Sequence, residues 1–112
     1  PTGWAFFDTF DGGYSHFALV DHDQQGLNSG LNARGLALQI SRSKCLTNAT
    51  PEREELRTVL NAEVLTRSAD VAEGLARVEA YAAEHPEMLG GNVMLGDRER
   101  IAMVEYFAGQ VL

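Results

Sequence analysis

The spacing of apolar positions changes twice along the chain, and the changes divide it into three stretches. From Trp4 to about residue 42, apolar side chains come in short runs separated by turn formers. Trp4, Phe6, Phe7 and Phe10 precede Asp11-Gly12-Gly13, and Tyr14, His16, Phe17 and Leu19 follow it, which predicts a hairpin. Ala5, Phe6 and Phe7 are consecutive, as in a strand buried on both faces of a stacked-sheet fold. After a polar loop over 21–26, a second hairpin is predicted over about 27–42. Its turn is bracketed by Asn32 and Gly35, two residues that tolerate a left-handed backbone.

The middle stretch is helical. Thr50 is a natural N-cap, Pro51 suits the first helical position, and Glu52, Glu54 and Glu55 face the positive end of the helix dipole. Leu56, Val59, Leu60 and Val64 recur at helical spacing and predict one buried stripe on a helix over about 51–67. A second helix is predicted over about 69–85, capped by Ser68, with Val71, Leu75, Val78 and Ala82 as its apolar face and Pro86 ending it. Gly74 within it costs roughly 1 kcal/mol relative to alanine, so a close approach by a neighbouring element is expected there.

Beyond Gly90-Gly91 the period returns to two, predicting strands over about 92–107. Asn92 to Leu95 reads as a strand, residues 96–99 as a turn, and residues 100–107 as the antiparallel partner. Residues 108–110 turn again, and Val111 enters a further strand. Strands, two helices, then strands define an α+β chain with the helix pair on one face of a mostly antiparallel sheet.

Composition narrows the function classes. With 112 residues the chain is expected to form one domain or part of a larger one, and its 45% apolar and 22% charged residues are ordinary for a soluble protein. No apolar run is long enough to cross a bilayer and no signal-peptide pattern opens the chain, so the expected location is the cytoplasm. The net charge is −7, and no run of Lys and Arg occurs, which argues against nucleic acid or an anionic membrane as partner. The glycines lack phosphate-loop spacing, and neither a cofactor nor a metal is expected.

Individual candidates for chemistry are few. Cys45, beside Lys44 and Arg42, has no recognisable nucleophile context and reads as a small apolar residue at a strand end. Asp21-His22-Asp23 is superficially metal-like but lacks further ligands, and His85 suits the last turn of a helix. Pro1 is followed by Thr2-Gly3 and by two strands before any helix, unlike enzymes that use an N-terminal proline as base. Asn48-Ala49-Thr50 matches a glycosylation sequon but reads as the approach to the helix cap.

One segment carries more. Gly30-Leu31-Asn32-Ala33-Arg34-Gly35-Leu36-Ala37 resembles a segment of the N-terminal-nucleophile hydrolases. The branch is the linear-amide one: choloylglycine hydrolases, penicillin acylases and acyl-CoA:6-aminopenicillanate acyltransferase-like proteins. The likeness continues in register through the helix pair into Asn92-Val93-Met94-Leu95-Gly96-Asp97 and Ile101-Ala102-Met103-Val104-Glu105, covering about residues 26–112. It implies part of a sandwich of two sheets between helix layers, and amide hydrolysis or acyl transfer by an N-terminal Cys whose own amine is the base.

Under that resemblance the catalytic residue here is Asn32, as an oxyanion donor, with Asn92, Asp97 and Glu105 structural or bordering the pocket. The family's Cys segment has no counterpart in these residues. The chain is therefore expected to be a portion or subunit of a linear-amide amidohydrolase or acyltransferase, completed by a second chain carrying an N-terminal Cys and acting on a small-molecule amide. The alternative, from another class, is a stand-alone small α+β protein that binds a ligand or partner without catalysis, as a homodimer or other homo-oligomer whose second copy replaces the missing sheet.

Overall fold

The computed structural model describes residues 2–7, 13–21, 26–41 and 50–111. Among these residues seven strands form one sheet: β1 (Thr2–Phe7), β2 (His16–Asp21), β3 (Gly26–Asn32), β4 (Ala37–Ser41), β5 (Gly91–Gly96), β6 (Ile101–Phe107) and β7 (Gln110–Val111). Their order in the sheet is their order in the chain, and every neighbouring pair is antiparallel. Between β4 and β5 the chain leaves the sheet to build α1 (Pro51–Arg67) and α2 (Val71–Glu84), then returns to pair β5 directly with β4. The α+β class with a helix pair over an antiparallel sheet is thus the architecture of the chain.

Local chemistry accounts for the helix ends. Thr50 is extended and its Oγ1 accepts from the Arg53 amide at 3.2 Å, with Pro51 next and Glu52 and Glu54 in the first turn. The second cap differs from expectation. Ser68 ends α1, donating its N–H to Val64 O, while Asp70 caps α2 by accepting the Glu73 amide at 2.9 Å. Both are cap-forming types two residues apart, but only Asp70 has a Glu three residues on, the spacing of a capping box. The α1 stripe is also rotated from expectation: Leu60, Asn61, Val64 and Leu65 are buried, whereas Val59 is 39% exposed.

The core lies between the helices and one face of the sheet. Leu36, Leu38, Val93, Leu95, Val104 and Tyr106 meet Leu60, Val64, Leu65, Val71, Val78 and Ala82 there. Gly74 sits at the closest approach, where a Cβ would come within 2.9 Å of Leu95 Cδ1, which explains a glycine inside α2. The opposite face is open. Alternation along the strands puts Phe17, Leu31, Met94, Ile101, Met103 and Phe107 on it, 40% to 76% exposed. The expectations for Phe10, Asp11-Gly12, the loop around His22 and Asp23, and the loop containing Cys45 and Asn48 fall outside the described residues, as does Pro1.

Candidate functional site

The Asn32 segment connects β3 to β4 as a tight turn. Gly35 donates its N–H to Asn32 O at 3.1 Å and has φ +93°, a left-handed conformation that explains a glycine at this point. Upstream, Leu65 of α1 lies directly over Gly30, where a Cβ would come within 2.6 Å of its side chain. The segment's two glycines therefore serve turn geometry and close helix-on-sheet packing.

Between them stands Asn32, 4% exposed, on the helix-covered face. Its Oδ1 accepts from the Arg34 and Leu36 amides at 2.9 and 3.1 Å. Its Nδ2 donates to Leu65 O at 2.8 Å and to Ser68 O at 2.7 Å. Carbonyls at a helix C-terminus lack intrahelical partners, and here one carboxamide satisfies two carbonyls at the end of α1 while closing the turn. Both N–H groups are engaged, so donation to an oxyanion would require releasing one of these carbonyls. His16, on β2 and paired directly with Asn32 on β3, is 8% exposed and places its Nδ1 3.3 Å from Tyr14 O. The sequence reading attached no role to His16. No signal in the sequence marked it, because the pairing of β2 with β3 that sets it opposite Asn32 belongs to neither hairpin read there.

A second clamp, this one a carboxylate, lies at the same end of the sheet. Asp97, just after β5, accepts the Val71 amide at 2.8 Å through Oδ2, and the Glu99 and Arg100 amides at 2.8 and 2.9 Å through Oδ1. The Val71 amide, then those of Glu99 and Arg100, hold this carboxyl below its ordinary pKa despite its contact with solvent. Asn32 and Asp97 thus grip the α1–α2 junction from two turns, one at the end of α1 and the other at the start of α2.

The remaining residues singled out by resemblance are elsewhere. Asn92 and Glu105 are cross-strand partners near the other end of β5, and Glu105 is exposed on the open face, so the structure does not gather them with Asn32. His85 closes α2 as expected, its ring 4.3 Å from Tyr81's and its Nδ1 3.5 Å from Glu87. Among the described residues no three His, Cys, Asp or Glu side chains form a metal-binding group, and no helix is long and apolar enough to cross a membrane.

What these parts define is a seven-stranded antiparallel sheet with one helix-covered face, one apolar open face, and a helix junction pinned by two polar side chains. No known family model matches the chain, and no curated protein is similar enough to it to count as a relative.

Proposed function

We propose that these residues are part of an N-terminal-nucleophile amide hydrolase or acyltransferase acting on linear C–N bonds, completed by a portion or second chain that carries an N-terminal Cys. The observation that carries the reading is the open face of the sheet. Six large apolar side chains lie exposed on the side opposite the helices, and contiguous patches beyond a few hundred Å² mark surfaces that another element covers. A second sheet packed about 10 Å away would bury them, in keeping with the sandwich that the Asn32 segment and its register imply.

In that enzyme the Cys thiol attacks the amide carbonyl while its own α-amine takes the thiol proton. Collapse of the tetrahedral intermediate expels the amine, which leaves with that proton, and water or an acceptor amine then takes the acyl group from sulfur. Asn32 serves this chemistry as a positioning residue, because its carboxamide is committed to Leu65 O and Ser68 O.

Copurification from the native source tests the proposal. A second polypeptide, or a longer form of this one, beginning with Cys and losing amide hydrolysis on iodoacetamide treatment is the expected result. A chain of only these residues that folds alone and hydrolyses no amide overturns it. Asn32→Ala separates the two roles of the carboxamide. A positioning residue lowers stability together with turnover, whereas a ten- to thousandfold fall in turnover at unchanged stability returns Asn32 to the oxyanion.

A further inference from the structure

The open face of the sheet is not evenly filled. Leu31, Ala37, Gly96 and Ile101 stand side by side in one cross-strand row from β3 to β6. Along that row the side chains are large, small, absent and large again. A trough of about 270 Å³ therefore lies over β4 and β5 between the walls of Leu31 and Ile101, and the paired Gln39 and Met94 of the next row close its inner end. The space above Gly96 is open: a Cβ built there has only Ile101 Cγ1 within 4 Å, at 3.8 Å, an ordinary contact. Gly96 is not among the glycines of positive φ, so its backbone does not require a glycine. The missing side chain keeps the trough empty.

Lining and position decide what such a trough takes. No charged side chain lines it among the described residues, and its polar ones, Ser29 and Gln39, are cross-strand partners. A carboxylate or ammonium would lose its hydration there without a counter-ion, whereas an aliphatic chain would gain by burial. Ala37 opens β4 and Gly96 closes β5, so the trough lies in the last row of the sheet, at the end that carries the Asn32 and Asp97 turns. A second sheet seated about 10 Å above would roof it and pack against the rows farther in. Its mouth at the sheet end would stay open to a small molecule.

We propose that this trough holds the acyl group of the amide substrate and selects an uncharged aliphatic chain. The proposal rests on the amide-hydrolase reading and deepens it. Leu31 and Ile101 set the width of the acyl group, and the bare floor of Ala37 and Gly96 sets its depth.

The completed enzyme, this chain with its Cys-bearing portion, is assayed on the acetyl, hexanoyl and adipoyl amides of para-nitroaniline. Hexanoyl should exceed acetyl in kcat/KM by about a hundredfold, because each buried methylene adds several-fold. Adipoyl, equally long but ending in a carboxylate, should fall about tenfold or more below hexanoyl. Gly96→Leu and Ala37→Leu, which fill the trough from neighbouring strands, should each cut the hexanoyl-to-acetyl ratio to about five or less. Similar kcat/KM for all three amides, or a hexanoyl preference that survives both substitutions, overturns the acyl pocket and leaves the amide hydrolase standing. Failure to hydrolyse any of the three sinks both.

Discussion

At the scale of single residues, the chain concentrates its polar specificity in two side chains. Asn32→Ala strands two helix-end carbonyls and two turn amides under α1, and denaturant unfolding should register a loss on the order of 3 kcal/mol. Asn32→Asp keeps the acceptor oxygen but loses both donors and faces two carbonyls, so it should fall at least as far. Gly35→Ala meets no atom within 4 Å and suffers only from its positive φ, so about 1 kcal/mol is the expected loss by the same measurement. Asp97 gives an acid-side signature. Its folded pKa is depressed, so the unfolded chain binds the proton more readily, and its stabilisation is present at neutral pH and fades as pH falls through the folded value. Asp97→Asn should therefore flatten the decline of Tm in acid, while lowering Tm near pH 7.

Among the elements, the sequence was most legible where local chemistry and period agreed. Thr50-Pro51 with its glutamates fixed the start of α1, the alternation from Ile101 to Phe107 fixed β6, and the turn before β7 proved to hold Ala108 and Gly109 at positive φ. Ser68 ends α1, its carbonyl bound to Asn32, and Asp70, with Glu73 three residues on, caps α2. Legibility failed where the decision was tertiary. Val59 matches the helical period as well as Leu65 does, yet α1 is rolled so that Leu65 lies over Gly30. The consequence is measurable, because Leu60→Ala should cost about 3 kcal/mol whereas Val59→Ala should stay within about 0.5 kcal/mol. As for the site, the Asn32 turn could be read from its residues, but its attachment to α1 could not. The clamp at Asp97 was equally hidden, since Val71 reaches its carboxylate only after the helices have settled on the sheet.

For the molecule as a whole, the two faces of the sheet make opposite demands. One is filled by the helix pair, and the other presents Ile101, Met103 and Phe107 at 64% to 76% exposure. If a second sheet seats there, the double variant Ile101→Lys/Met103→Lys should lose the copurifying polypeptide while keeping its far-UV circular dichroism, whereas retention of the partner would place the contact elsewhere. The order of strands has a kinetic corollary. Of the six neighbouring strand pairs, five join strands close in sequence, whereas at β4–β5 the ladder from Ala37 to Ser41 waits for a roughly fifty-residue excursion to close. Two meanders, β1–β4 and β5–β7, can thus assemble quickly and separately, and the joining of Leu38 to Leu95 beneath the helices is the slow event. Shaving either side chain should slow refolding more than the same truncation at Val104, which belongs to a meander already made.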